Sequence, residues 1–424
     1  MKFALGNFFL CLMLIVSCSE KSATEPQNNP PAVFETPQVV IGKMMRGINI
    51  GNTLEPPTEG GWNNGPLEEV YFDDYKSAGF TCVRVPVRWE KHAATTAPYA
   101  IDADWLDRIE QVVDWGLARD LYIILNAHHE WWLVNNYANA DTLARFESIW
   151  QQIADRFKDK SPKLLFEIIN EPHGMTQAQL NELNGNILTI IRAENPQRIV
   201  IFGGHEWAGA AQLLTAAVPN DDYLMGYYHS YDPWNFAGEA NGFWGTFDDI
   251  AAVKAQFSSV ANWSNARNIP AMISEFGAVR NCDYNSRMMH YYTYVEQALT
   301  NGIAFMAWDD GGDFGIYDRT NRTWSEVKDI LIYGHPNGPV LTEATYLGNA
   351  TVYLQWQNRS SAINQIIVER KSDTSDFTEI ARLGAAAIDY RDTAAGSGSQ
   401  YYRVIYKFSD QPDMYSNPMV VQTP

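Results

Sequence analysis

From about residue 38 to residue 335, short apolar runs alternate with longer stretches in which apolar residues recur every three or four positions. The short runs are RGINIGN (46–52), CVRVPV (82–87), YIILNAH (122–128), LLFEIIN (164–170), RIVIFGG (198–204), YLMGYYH (223–229), PAMISEF (270–276) and GIAFMAW (302–308). Near-continuous apolar runs of this length suit parallel strands covered by helices. Between them, DWLDRIEQVVDWGLARD sets Leu106, Ile109, Val113 and Leu117 on one helical face. This alternation predicts an α/β fold, a (β/α)8 TIM barrel, with a doubly wound open sheet as the alternative that pattern alone allows.

The polar residues favour the barrel. Nearly every run ends in a residue that a plain core would avoid: Asn52, Arg84, His128 and His129, Asn170 and Glu171, His229 and Tyr231, Glu275, Trp308 and Asp309. A barrel gathers the C-terminal ends of all its strands on one face, where such enzymes build their sites. Cys82 lies two residues before Arg84 and Glu167 four before Glu171, so strand alternation puts each pair on one face. Glu167 is then expected to be structural and deeper in the barrel. Cys82 is expected to be a buried thiol and Cys282 an independent loop thiol.

Past HPNGP at 335–339 the texture changes. TVYLQW, QIIVERK, FTEIARL, IDYRD, YYRVIYKF and NPMVVQ are short runs separated by Ser-, Asp- and Gly-rich turns. Leu354 with Trp356, and Tyr402 with Val404 and Tyr406, alternate at period two. Residues 338–424 are therefore expected to form a small all-β sandwich.

The first residues follow another logic. Lys2 precedes an apolar run, Phe8 to Val16, too short to span a bilayer, and the run ends in IVSC at Ile15–Cys18. Residues 1–18 are read as a signal peptide and 19–37, polar and proline-rich, as a flexible tether. The catalytic barrel is expected over 38–335. A formal net charge of −19 argues against nucleic acid, whose partners are basic. The 14 Trp and 22 Tyr fit either large cores or stacking on sugars.

Two carboxyl groups at strand ends supply what glycosidic hydrolysis needs: one to protonate the leaving oxygen, one on the opposite face of the sugar. Glu171 and Glu275 fill those places. Burial and mutual repulsion are expected to raise the acid's pKa, while Arg84 keeps its partner ionised. His128, His129, His229 and Tyr231 offer donors and acceptors for hydroxyls. Trp131, Trp132, Trp207, Trp234 and Trp244 are candidate stacking rings, whereas His92, His173, His205, His290 and His335 read as structural or surface groups. The His-x-His and Lys set of metal-dependent amidohydrolase barrels is missing, so neither a metal nor a cofactor is expected.

RGINIGNTLE, GFTCVRVPVRW, NAHHE, FEIINEPHG, HSYDPWNF, ISEFGA and FGIYDR, in that order over residues 42–333, resemble glycoside hydrolase family 5, especially its bacterial endoglucanase and mannanase branch. The resemblance implies a retaining endo-β-1,4-glycanase with Glu171 as acid/base and Glu275 as nucleophile. It puts Asn170 at the sugar 2-hydroxyl and Arg84, His128, His229, Tyr231 and Trp308 around the −1 subsite. Asn52, Glu55, His129 and Asp309 match positions lining the cleft in the nearest branch. Ser230 departs from it, standing where an aromatic residue is usual, which bears on specificity. IVSC resembles the lipobox of bacterial lipoproteins, which implies lipidation of Cys18 and an exported, membrane-anchored enzyme, on the outer membrane or cell surface if the cell is Gram-negative. The C-terminal segment resembles a fibronectin type III module. The expected partners are polysaccharide or oligosaccharide and, through the lipid, a membrane; the chain is expected to act as a monomer. Mannanase, xyloglucanase and transglycosylase activities stay open, as does a non-catalytic surface glycan-binding lipoprotein.

Overall fold

Eight parallel strands close on themselves: β1 (Arg46–Asn49), β2 (Cys82–Val85), β3 (Tyr122–Asn126), β4 (Leu164–Glu167), β5 (Val200–Gly203), β6 (Leu224–Ser230), β7 (Ala271–Phe276) and β8 (Ala304–Ala307). β1 pairs with β2 on one side and with β8 on the other, Gly47 opposite Met306. The computed structural model describes Met1 and residues 33–424. The expected leader with Cys18, and the tether up to residue 32, lie outside the described residues.

The strands end earlier than their apolar runs suggest. Residues 127–128 and 168–170 lie beyond the strands, yet His128 N, Ile168 N and Asn170 N still donate to the carbonyls of Val87, Ile201 and Ala127, so the splaying mouth keeps single cross-strand bonds. Inside the barrel, Cys82, Tyr122, Ile124, Leu165, Ile201, Met225, Met272, Ala304 and Met306 form a closed apolar cluster. On the same strand faces, an even number of residues further along, come Asn49, Arg84, Asn126, Glu167 and His229. The interior is thus apolar below and polar above. Gly47 exists because of that packing: a Cβ there would come within 1.9 Å of the Met306 sulfur.

Outside, the helices cover the strands with their apolar faces, and the five longest begin on side-chain caps. Asp102 accepts from Asp104 N at the start of Ala103–Ala118, and Thr176 with Gln179 closes a capping box on Gln177–Glu194. Arg198 ties the lower end together. It is fully buried and donates to the carbonyls of Phe157, Lys158, Lys160, Ser161 and Leu164 and to Asn195 Oδ1.

A two-strand ribbon, β9 (Tyr317–Asp318) with β10 (Thr323–Trp324), follows the barrel. Then come two antiparallel sheets. One has the order β11 (Val340–Gly348), β12 (Thr351–Gln357), β15 (Asp389–Asp392). The other has the order β14 (Thr378–Gly384), β13 (Gln365–Ser372), β16 (Gly398–Lys407), with β17 (Met414–Tyr415) and β18 (Met419–Thr423) both on β16. Their shared core holds Leu341, Val352, Leu354, Trp356, Ile366, Val368, Tyr402, Val404 and Tyr406. These sheets and the barrel form one compact unit, Phe34–Pro424. Asn285, on the helix Tyr284–Thr300, exchanges two hydrogen bonds with the Val420 backbone. Arg403 pairs with Asp329 (2.5 Å), Arg359 with Glu296 (2.8 Å), and Lys371 with Glu326.

Candidate active site

The polar layer at the upper end is organised by Arg84. Its guanidinium is fully buried, and all five N–H donors have acceptors. Nε donates to Glu167 Oε2 (2.8 Å), and Nη2 to Glu167 Oε1 (2.5 Å) and Asn170 Oδ1 (2.6 Å). Nη1 donates to Asn49 Oδ1 (2.9 Å) and Glu275 Oε1 (2.6 Å). Burial pulls the guanidinium's pKa down, but Glu167 and Glu275 outweigh it and hold the group above the ordinary arginine value.

Those contacts orient what faces the cleft. Because Asn170 Oδ1 is taken by Arg84, its Nδ2 is left to donate outwards. Asn126 accepts from Val87 N through Oδ1 (3.2 Å), so its Nδ2 meets Glu167 Oε1 and His128 Nδ1 (3.1 Å). That makes Nδ1 the acceptor and leaves His128 Nε2–H as a donor. The backbone before Glu171 is pinned by the Tyr227 hydroxyl, which donates to the carbonyls of Ile169 (2.5 Å) and Asn170. Glu275 sits where the β6–β7 register shifts, opposite His229, and a shift of this kind re-aims side chains. Tyr231 OH donates to Glu275 Oε2 at 2.9 Å.

His229 links the two glutamates: its Nδ1 lies 2.8 Å from Glu171 Oε1 and 3.6 Å from Glu275 Oε2. Burial, opposed by the charge of Glu275, pushes His229 down to about 4, so the ring is neutral near pH 7. Burial likewise lowers His128 well below the usual histidine value and His129 to about 4. Glu171 keeps 22% of its side chain exposed, yet burial lifts it to about 7 against the pull of Arg84 and His173. Glu167 adds to the rise, and the repulsion between Glu171 and Glu275 that the sequence suggests acts on Glu275. Burial also raises Glu275, while His229 and Arg84 pull it back. Glu171, His229 and Glu275 each place one ligand atom within 4.8 Å of the others, a spacing that would also fit a cation. Arg84 already brings positive charge against Glu275, so the trio is better suited to handling protons.

A cleft of about 620 Å³ brings together His128, His129, Asn170, Glu171, His229, Tyr231, Glu275 and Trp308, with Arg84 just beneath. Three expected contacts are corrected. Glu55 and Asp309 are fully buried and turned away from solvent. Glu55 accepts from the backbone N–H of Asn52 and of Thr53 (2.9 Å), and Asp309 from those of Gly311, Ile316 and Tyr317. Each satisfies a loop's amides, which would otherwise be orphaned. Asn52 lies on the β1 loop at φ 54°, outside the cleft lining.

The aromatic residues also sort differently from expectation. Trp207 and Trp234 line the cleft and are half-exposed, and Trp131 is half-exposed on the same rim. Trp132 instead covers the Arg145 guanidinium at 4.6 Å, and Trp244 is buried against His290. His173, expected to be peripheral, stacks on Trp207 with ring centroids 4.0 Å apart. Trp62 and Phe314 at the mouth went unread, as did Asn49 and Asn126. Those two asparagines share the inward strand parity of Arg84, a signal the runs did contain. Cys82 is a free thiol as expected; Cys282 is also free but buried, donating to the Phe236 carbonyl.

Two carboxyl groups facing one cleft, walled by rings, at the C-terminal mouth of a closed parallel barrel are built to act on sugars, and the barrel is that of a glycoside hydrolase. The pattern defining the cellulase family, glycosyl hydrolase family 5, matches residues 45–313, and the chain belongs to that family. It is 44% identical over 318 residues to Endoglucanase H of Acetivibrio thermocellus, covering 73% of this chain and 35% of that protein. To Endoglucanase B of Clostridium cellulovorans it is 32% identical, covering 73% of this chain and 78% of the relative. A tri-modular family 5 (subfamily 4) endo-β-1,4-glucanase from Bacillus licheniformis superposes with a TM-score of 0.78 at 32% identity, over 91% of this chain and 79% of that one. That share exceeds what the barrel supplies, so the likeness runs into the antiparallel sheets. Thermotoga maritima Cel5A, solved with mannotriose, superposes over 70% of this chain and all of its own at TM-score 0.67 and 33% identity.

Proposed function

We propose that the protein is a retaining endo-β-1,4-glycanase in which Glu171 is the acid/base and Glu275 the nucleophile. The observation that carries this reading is the approach of their carboxyl oxygens to within 4.8 Å. Retaining glycosidases hold the pair about 5–5.5 Å apart, whereas inverting ones need roughly 6.5–9.5 Å to seat a water between them. Glu171, titrating near 7, is protonated often enough to give its proton to the leaving oxygen. Glu275, held by Arg84 and Tyr231, attacks the anomeric carbon as that bond breaks. Water, deprotonated by Glu171, then displaces the glutamate by attacking the face from which the leaving group departed. Asn170 Nδ2 and His128 Nε2 are the free donors for sugar hydroxyls.

β-1,4-Glucan is the first substrate to expect, since the named relatives are endoglucanases. Glucomannan follows, because a neighbour binds mannotriose. The test is reducing-sugar release across purified polysaccharides, with proton NMR of the earliest products. Retention gives the β-anomer first; an α-anomer first would remove Glu275 from the nucleophile's role. Glu171→Gln and Glu275→Gln should each lower turnover on polymer at least about 1,000-fold.

Two further assignments rest on the sequence. Export and anchoring follow from IVSC at Ile15–Cys18: Cys18→Ala should move the protein out of the membrane fraction, and sedimentation unchanged by that substitution would end this reading. The strand order of the two antiparallel sheets supports a fibronectin type III-like module.

A further inference from the structure

Every strongly exposed Trp or Phe among the described residues lies on a loop or at the first residue of a helix on the segments that follow the barrel strands: Trp62, Trp131, Trp207, Trp234, Phe243 and Phe247. The last two stand apart. They are 82% and 85% exposed, on the segment after β6, and neither lines the cleft. Two bare phenyl rings expose roughly 300 Å² of apolar surface, a patch of the size that marks contact sites. The segment is not loose. Trp244, between them, is buried with its ring 5.0 Å from His290, and Thr246 with Asp249 forms a capping box on Phe247–Arg267. A rigid segment therefore holds the two rings in water.

Trp244 and Asp248, the chain neighbours of the two rings, line a second cavity of about 390 Å³, within the usual range of ligand sites. Asp232, Pro233, Trp244, Asp248, Gln256 and Tyr294 line it. Two polar atoms at its wall have no partner among the described residues: the Nε1–H of Trp244, a residue 5% exposed, and Gln256 Oε1. Gln256 Nε2 is engaged, donating to Asp232 Oδ2 at 3.1 Å. Buried groups of this kind are seldom left orphaned, so an indole donor and an amide acceptor here await a ligand that offers both. Aromatic faces beside amide and carboxylate acceptors match a pyranose, with its apolar face and ring of hydroxyls. The surrounding aspartates and the net charge of −19 exclude a polyanion. Asp232 lines both this cavity and the catalytic cleft, so the two are neighbours.

We propose that this cavity and its two phenylalanines form an accessory site for a sugar unit of the same neutral β-glycan, outside the catalytic cleft. The inference rests on the glycanase reading and adds a second foothold for polymer. Trp244→Phe removes the indole donor together with part of its ring volume, and Phe243→Ala with Phe247→Ala removes only exposed rings. Full-length wild type and both variants are run in gels containing β-glucan or glucomannan and assayed on the same polymers and on an aryl cellobioside. Either change should weaken retardation and raise KM on polymer at least about five-fold, leaving the aryl substrate untouched. Unchanged retardation overturns the proposal, and so does an equal loss on the aryl substrate. Wild type that cleaves the aryl substrate yet runs unretarded overturns it while leaving the glycanase reading intact. If the double variant instead loses adsorption to phospholipid vesicles with polymer binding unaltered, the patch belongs to a membrane and the proposal fails. The exposed double variant keeps the test decisive should Trp244→Phe misfold.

Discussion

Arg84 and Arg198 are both fully buried, at opposite ends of one barrel, and their surroundings differ in kind. Arg198 meets five backbone carbonyls and one amide oxygen, and burial brings it down to about 10. Arg84 meets two carboxylates and two asparagines, and it is held above the ordinary arginine value. Partial charges suffice where the task is to fasten loop to strand. Full charges stand where two carboxylates meet at the floor of the cleft. A buried ion pair is weak evidence for stability alone, so its position at the cleft floor is better explained by chemistry than by folding.

Replacing each arginine with methionine tests that contrast. Arg84→Met leaves Glu167 and Glu275 buried without their partner, which should cost about 3–5 kcal/mol of stability. Turnover per folded molecule should also fall at least about 100-fold. Arg198→Met should cost about 1.5–3 kcal/mol through lost charged hydrogen bonds while turnover per folded molecule holds. Denaturant melts paired with active-site-normalised rates read both; similar losses of rate from the two would abolish the distinction.

The next effect concerns Glu171. A folded-state pKa of about 7, against an ordinary 4.5, means that the folded protein binds the proton more tightly than the unfolded chain. Stability is then lost as pH rises from 4.5 through about 7, while the rate on polymer falls as pH climbs past 7. Glu171→Gln should therefore melt higher than wild type at pH 8, by on the order of 2 kcal/mol after allowing for its exposed fifth, and equally below pH 4.5. Equal melting at both pH values would mean that the site stores no such strain.

The smallest effect on rate is expected at the antiparallel sheets. Residues 340–424 contribute nothing to the cleft lining, so their removal should leave turnover on soluble oligosaccharide within about two-fold. The melting temperature should fall, because Asn285 and the ion pairs of Asp329, Glu296 and Glu326 lose their partners. A large loss of rate at low temperature would tie these sheets to the catalytic end.

Glu171, Glu275, Arg84 and His229 were legible because each interrupts an apolar run with a charge or an imidazole at a strand's end. Asn49 and Asn126 were harder to see, since an amide inside a run draws less notice than a charge. Their inward parity becomes meaningful only once Arg84's partners are counted. Asp309 carried the same strand-end signal as Glu171, and Glu55 was suggested by the family resemblance, but both turned inwards. Whether a carboxylate faces a cleft or caps its own loop depends on which backbone amides the loop leaves unpaired. Exposure of Phe243 and Phe247 was hidden for a similar reason: apolar letters in a loop do not say which ring, theirs or that of Trp244, the loop will bury.

Asn49 also closes the barrel's seam. Its Nδ2 donates to the carbonyls of Ser274 on β7 and of Met306, 257 residues onward on β8, and its Oδ1 accepts from Arg84. During synthesis β1 must wait for the last strand before it finds its second neighbour, a late and entropically costly closure. The same side chain that senses closure also supports the guanidinium under Glu275. The cleft floor and the barrel's last seam thus share one amide, so a change at Asn49 touches closure and the site together.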